Sequence, residues 1–251
     1  MPDTPVILFV SDCHLDASRP KVAEAFFRFL RGDAVNAEAL YILGDLFELW
    51  IGDDDDDPFV DTVQQHLKQL SGETPVFFMH GNRDFLIGDA FAVNSGATLL
   101  PDPTILRLGD ETVVLMHGDS LCTKDQAYQA FRAQSRSREW VTTVLAKSLA
   151  ERRALGQQLR QQSKTMSSRK AVDIMDVSAE AVAAVILEHQ ADKLIHGHTH
   201  RPRRHPLQVQ ERGMEKKVER TVERIVLGDW DEQAWCLRYD GDWHLDSWEI
   251  N

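Results

Sequence analysis

Val6-Ile7-Leu8-Phe9-Val10-Ser11-Asp12-Cys13-His14 is an unbroken apolar run that stops on two side chains able to bind a metal. Five consecutive apolar residues, rich in β-formers, read as a strand buried on both faces. Leu40-Tyr41-Ile42-Leu43 repeats the plan and ends at Gly44-Asp45. Val76-Phe77-Phe78-Met79 repeats it again and ends at His80-Gly81-Asn82-Arg83-Asp84. Between these runs, residues 21–31 place Val22, Ala25, Phe26, Phe29 and Leu30 at helical spacing, and residues 59–70 follow the same period. The alternation is βαβαβ. It predicts an α/β protein with a mainly parallel sheet covered by helices.

Further along, Thr112-Val113-Val114-Leu115-Met116 is a strand into His117-Gly118-Asp119, after short β-like pieces from residue 97. Lys193-Leu194-Ile195-His196 is a strand into Gly197-His198-Thr199-His200. Residues 125–165 read helical, with Trp140, Val144, Leu145 and Leu149 close to one face. Residues 178–189 read as a helix with Ser178 as N-cap. From 203 to 250 the pattern is that of β-hairpins, with Asp240-Gly241 as a turn signal. There is no internal repeat and no linker long enough to divide the chain. Residues 1–251 are expected to form a single domain.

Five strand-like runs thus end in residues that bind metals, and open α/β sheets bind ligands just past the carboxyl ends of their strands. Asp12 and His14 are two apart, as are His198 and His200, so an extended backbone would point each pair one way. Glycines at 44, 81, 118 and 197 allow tight turns and close backbone approach. Imidazole and carboxylate ligands together suit Mn, Fe, Zn or Ni rather than calcium. Seven candidates (Asp12, His14, Asp45, Asn82, His117, His198, His200) are too many for one such ion and suit two. Two ions about 3.5–4 Å apart would stabilise the attacking and leaving oxygens of a phosphoryl displacement and activate water as the nucleophile. Asp45 is the best candidate for a bridging ligand.

Composition narrows the setting. The 251 residues carry a formal charge of −12, with 43% apolar and 27% charged side chains, the proportions of an ordinary globular protein. No apolar run reaches the roughly 18 residues of a membrane span, and Met1–Pro5 has no signal-peptide character, so none is expected. Three scattered cysteines argue against a disulfide framework. The acidic balance argues against nucleic-acid binding. Yet the charge is uneven. Residues 1–122 carry seven basic and twenty-one acidic side chains, whereas residues 123–170 carry eleven basic and three acidic.

The ordered set DxH, GD, GN, H and GHxH, at Asp12/His14, Asp45, Asn82, His117 and His198/His200, resembles the calcineurin-like metallophosphoesterase family. That resemblance implies a β-sandwich core flanked by helices, with residues 123–170 as a helical lid insert. It implies one metal on Asp12, His14, Asp45 and His200 and a second on Asp45, Asn82, His117 and His198, both manganese. The segments Gly44–Asp54, Phe78–Gly88, His117–Thr123 and Val226–Trp230 resemble one branch of the family more finely. Members of that branch hydrolyse the pyrophosphate bond of the lipid-linked UDP-sugar UDP-2,3-diacylglucosamine. The products are UMP and 2,3-diacylglucosamine 1-phosphate, in lipid A biosynthesis. This likeness implies Asp45, Asn82, Arg83 and His117 as catalytic residues. It implies substrate contacts at Asn82, Arg83, Asp125, Tyr128, Ser163, Ser167, Lys170 and His198. It also implies a cytoplasmic enzyme, peripheral on the inner-membrane surface, with no obligatory protein partner.

A chemical argument runs beside it. Phosphoprotein phosphatases of the family carry His after GN, a proton donor to an alkoxide leaving group; here Arg83 stands there. Arg cannot donate a proton usefully at neutral pH but clamps phosphate oxygens bidentately. It suits a leaving group that departs as a phosphate. The basic insert fits an anionic diphosphate and an anionic bilayer. The alternatives are a soluble nucleotide pyrophosphatase or cyclic-nucleotide phosphodiesterase on the same scaffold, and a metal-free scaffold module, whose mark is lost ligands. The remaining polar residues read more plainly. Asp84 and Asp119 read as supports, His80 and His196 as core or supporting residues, Cys13 as a small buried hydrophobe, and Asp53–Asp57 as a solvated loop.

Overall fold

In the computed structural model, which describes residues 6–167, 174–212 and 217–251, the opening run forms β1 (Ile7–Val10). Its side chains divide by the period of two that a strand imposes. Leu8 and Val10 pack on one side with α1 (Pro20–Arg31), α2 (Pro58–Ser71) and α3 (Asp89–Ser95); Ile7 and Phe9 pack on the other. β2 (Ala39–Leu43) and β3 (Val76–Met79) divide the same way, which is why all three read as continuous apolar runs. Phe9, Tyr41 and Phe77 stack across the three strands, with centroids 5.1 and 4.7 Å apart. Pro20 opens α1, and Pro58 opens α2 behind the Asp57 cap.

There are two sheets rather than one. The first has the order β11-β10-β1-β2-β3-β4, with β4 (Thr98–Leu100), β10 (Gln233–Tyr239) and β11 (Trp243–Glu249). The second has the order β5-β6-β7-β9-β8: β5 (Thr104–Leu108), β6 (Glu111–Met116), β7 (Lys193–His196), β8 (Arg203–Arg212) and β9 (Lys217–Val226). Strands β1 to β4 are parallel, as are β6, β7 and β9, while β10, β11, β5 and β8 add antiparallel edges. Phe9, Leu43 and Met79 of one sheet meet Val113, Leu115, Ile195 and Ile225 of the other in a dry core. Each fully buried side chain of this size contributes about 1.5–3 kcal/mol. The outer face of the second sheet is covered by α7 (Ala179–Glu188), whose Ser178 cap accepts from the Ala181 N–H. The expected β-sandwich flanked by helices is therefore present. Cys13, Cys122 and Cys236 are buried and unbridged. No helix among the described residues is long and apolar enough to cross a membrane.

Residues 125–165, read as one helical stretch, are three helices: α4 (Gln126–Ser135), α5 (Arg138–Leu145) and α6 (Leu149–Ser167). Asp125 caps α4 and Ser137 caps α5. Helix α3 is short and was not expected. The acidic run is a loop with Asp54 and Asp56 exposed, as expected, but its carboxylates all have partners. Asp53 accepts from the Gly88, Ala90 and Phe91 N–H groups at 2.9–3.1 Å and so binds the start of α3. Asp54 takes a two-pronged contact from Arg152 at 2.6 and 2.5 Å. Asp55 and Asp56 share Arg153, and Asp57 caps α2. The excess positive charge of the 123–170 segment is thus spent partly on docking to the acidic half of the chain.

Candidate metal centre

The ends of β1, β2, β3, β6 and β7 deliver the seven predicted ligands to one place. Asp12, His14 and His200 bring ligand atoms within 4.8 Å of one another, and so do Asp12, Asp45 and His117. Asn82 Oδ1 lies 2.7 Å from His198 Nδ1 and 3.1 Å from His117 Nε2. Asp45 stands between the groups, with Oδ2 3.9 Å from His14 Nε2 and Oδ1 3.8 Å from His117 Nε2.

The local reason for this convergence differs from the one the spacing suggested. The backbone at these positions is not extended. Asp12, His14, Asp45, His198 and His200 all have left-handed φ, between 45° and 66°. Such a conformation is disfavoured for residues with a Cβ and gathers at functional sites that the surrounding structure over-determines. Sharp bends after the strands, rather than alternation along them, turn these side chains together. The glycines then permit close contact. A Cβ on Gly81 would stand 2.0 Å from Asp45 Oδ1, and one on Gly197 would stand 2.2 Å from Asp12 Oδ2.

The donor set fits divalent ions. His14 Nδ1 lies 3.0 Å from Glu48 Oε2, without hydrogen-bond geometry, and His200 Nδ1 lies 3.3 Å from Asp229 Oδ2; a carboxylate beside each Nδ1 favours the proton there. Their Nε2 lone pairs then confront each other at 3.3 Å. His117 donates Nδ1–H to the Leu43 carbonyl at 2.9 Å, and its Nε2 faces the Asn82 oxygen. Acceptor facing acceptor is repulsive unless a cation lies between. Among the described residues Asp12 Oδ1 is buried without a hydrogen-bond donor. Protons take the cation's part in the free chain. Burial lowers the pKa of His117, but the charges of Asp45, Asp12 and Asp119 win and lift it to about 9. Burial likewise opposes, and Asp12 and Asp229 outweigh it, in lifting His200 to about 10. Burial and the charge of His117 push His198 down to about 4.

Glu48 and Asp229, which face the imidazoles of the candidate ligands His14 and His200, were missed as functional residues, although both lie in segments that carried the finer resemblance. Ligand rings fixed by a carboxylate or carbonyl on the far nitrogen are the rule in metal sites. Burial raises the Glu48 carboxyl, yet His14, Arg83 and Arg160 together hold it down to about 2. Asp84, read as a support, is fully buried and accepts from the Gly81 and Leu46 N–H groups at 2.7 Å and Asp45 N–H at 3.3 Å. Burial, then the charge of Asp45, pushes its carboxyl up to about 7. Asp119 is a hub for Tyr128 Oη (2.6 Å), Arg132 (2.8 Å) and Arg136 (3.0 Å).

Arg83 N–H donates to Asp45 Oδ1 at 2.7 Å, and its carbonyl accepts from Trp50. The guanidinium Nε is buried with no hydrogen-bond partner among the described residues. Tyr128 stacks on His198 with centroids 5.9 Å apart. Asp125 is buried at the head of α4, and Ser163 is exposed on α6. The side chain of Ser167 and all of Lys170 lie outside the described residues.

His196 is fully buried and His80 half-buried, and both bond backbone carbonyls. His80 Nε2 lies 2.7 Å from the Ile87 carbonyl. His196 Nδ1 lies 2.8 Å from the Gly197 carbonyl, and burial pushes its pKa down to about 3. A His in the unfolded chain titrates near 6.5. Below about pH 6.5 the unfolded chain therefore gains a proton that the folded one refuses until about pH 3. The stability held by the neutral ring is complete above pH 6.5 and is lost as pH falls. His196→Gln should flatten the acid limb of stability between pH 6.5 and 4 in urea unfolding of metal-free protein. An unchanged slope would exclude His196 as its source.

The sandwich and this constellation define a metal-dependent phosphoesterase, and the chain belongs to the calcineurin-like phosphoesterase family, whose model matches residues 5–202. A protein of Cellvibrio japonicus named UDP-2,3-diacylglucosamine hydrolase is 52% identical over 231 residues, covering 92% of this chain and 93% of its own length. A protein of Pseudomonas aeruginosa with the same name is 48% identical, covering 95% of this chain and 96% of its own.

Proposed function

We propose that this chain hydrolyses the pyrophosphate bond of UDP-2,3-diacylglucosamine, releasing UMP and 2,3-diacylglucosamine 1-phosphate. The observation that carries this reading is the 52% identity over nearly the full length to a relative named for that substrate. The site is consistent with it. Two divalent ions, manganese by preference, would sit on Asp12, His14, Asp45 and His200 and on Asp45, Asn82, His117 and His198. When bound they supply Lewis acidity and lower the pKa of water to about 7.

The chain's own residues do the rest. Asp45 spaces the two groups of ligands. Leu43, Glu48 and Asp229 fix the ring orientations. Arg83, tied by its backbone to Asp45 and Trp50, presents an unused guanidinium edge for the phosphate that leaves. Helices α4–α6 form a lid over the sugar half, with Tyr128 against His198 and Asp125, Ser163, Ser167 and Lys170 as further contacts. Five of the insert's eleven basic residues, Arg132, Arg136, Arg152, Arg153 and Arg160, are engaged with Asp119, Asp54, Asp55, Asp56 and Glu48, so part of its charge serves docking rather than substrate. The enzyme works at the cytoplasmic face of the inner membrane, where its acylated substrate lies.

Purified protein with manganese should release UMP from UDP-2,3-diacylglucosamine in mixed micelles, and chelator should abolish this. Arg83→Ala should cut turnover about 100-fold while bound metal is retained. Faster hydrolysis of ADP-ribose or cyclic AMP than of the lipid-linked substrate would favour a soluble nucleotide pyrophosphatase or phosphodiesterase instead.

A further inference from the structure

Helix α6 and the ligand-bearing loops meet chiefly at Glu48, with Asp16 at 3.9 Å from the Arg160 guanidinium that also meets Glu48. Glu48 Oε2 lies 3.0 Å from His14 Nδ1, and Glu48 Oε1 lies 2.6 Å from Arg160 Nε. Arg160 is the last of a row, Arg152, Arg153, Gly156 and Arg160, spaced to share one side of α6. Arg152 is 3% exposed; it grips Asp54 and also donates to the Ile51 carbonyl at 2.9 Å. Arg153 reaches Asp55 and Asp56. At Gly156 a Cβ would stand 2.7 Å from the Leu49 side chain, so the helix lies directly on the residue next to Glu48. This whole row touches residues 48–56, the continuation of the loop that starts at Asp45.

We propose that Glu48 is a positioning residue that couples the docking of α6 to the orientation of His14, so that lid position and metal affinity report on each other. The proposal rests on the reading of His14 as a metal ligand. One oxygen stands 3.0 Å from the His14 ring nitrogen, and the other is held by Arg160. Displacement of α6 would release that oxygen and let the carboxylate swing from the ring. By linkage, an ion that requires the oriented ring favours the docked helix by the same factor.

The test uses the full chain and Mn2+, without substrate. Metal affinity is measured by calorimetric titration, and docking by hydrogen–deuterium exchange over residues 149–163. Glu48→Gln should weaken Mn2+ binding by about 10–100-fold, the usual cost of losing a ligand's outer partner. Arg160→Gln, which touches no ligand, should weaken it by a smaller factor, about threefold or more. The double variant should bind no worse than Glu48→Gln, because both act through one contact. Mn2+ should slow exchange across α6 in the wild type and leave it unchanged in Glu48→Gln. Arg160→Lys, which restores the charge, should recover part of the affinity, whereas a merely misfolded variant would not. Wild-type affinity in Arg160→Gln, or additive losses in the double variant, would overturn the coupling. Absence of Mn2+ binding by the wild type would overturn the metal reading itself. Neither readout involves UMP release, so the substrate assignment fails or holds separately.

Discussion

Replacing Asp45 with Asn should lower turnover by about three orders of magnitude and reduce bound divalent metal, while leaving the fold intact. Asp45 faces a histidine of each proposed ligand group, 3.9 Å from His14 Nε2 and 3.8 Å from His117 Nε2. The metal centre contributes several kcal/mol of transition-state stabilisation, and about 1.4 kcal/mol is tenfold in rate. Loss of the shared charge therefore costs about 4 kcal/mol. Asn is the informative replacement. It tolerates the left-handed backbone at φ 53° and keeps an oxygen for the Arg83 N–H. It removes the charge and one of the two acceptor oxygens while keeping the shape. Metal content, melting temperature and turnover should be read on the same preparation. Turnover within tenfold of wild type, or a large drop in melting temperature at unchanged metal content, would refute the role given to Asp45.

How far the sequence speaks depends on whether a feature is local. Strands β1, β2 and β3 are legible because both faces are buried, one by helices and one by the second sheet, so every residue must be apolar. Their polar ends were legible because ligand types stand out after such runs. The left-handed backbone at Asp12, His14, Asp45, His198 and His200 was not legible. None of these residues is Gly, and φ there is set by contacts such as Asp12 N to the Gly44 carbonyl and His14 N to the Asp45 carbonyl. Partners distant in sequence were equally hidden. Asp54 finds Arg152 and Glu48 finds Arg160 across about a hundred residues, so an acidic run and a basic insert, each read as solvent- or substrate-facing, neutralise each other. Short α3 was missed because seven residues barely establish a helical period.

The second large effect is on stability. Asp84→Ala should destabilise the metal-free protein by about 4 kcal/mol. Asp84 is fully buried and takes three backbone N–H groups, from Gly81, Leu46 and Asp45. Two loops that follow different strands, β2 and β3, are joined through this one carboxylate. Alanine leaves three donors buried, each costing about 1–3 kcal/mol when unsatisfied, set against relief of the like charge on Asp45. A domain of this kind has about 5–15 kcal/mol in total, so the loss is a large share. Asp84→Asn separates charge from bonding. Its oxygen can still serve the Gly81 and Asp45 donors, but its NH2 would face the Leu46 N–H, donor against donor. It should therefore lose about 1–3 kcal/mol, between wild type and alanine. Because Gly81 lies so close to Asp45 that no Cβ fits between them, loosening this joint should also displace Asp45 and Asn82 together. Alanine should consequently lose metal affinity as well as stability. Urea unfolding and metal titration on the same three proteins would check the order, and an Asp84→Ala protein as stable as wild type would show that the loops are held by other contacts.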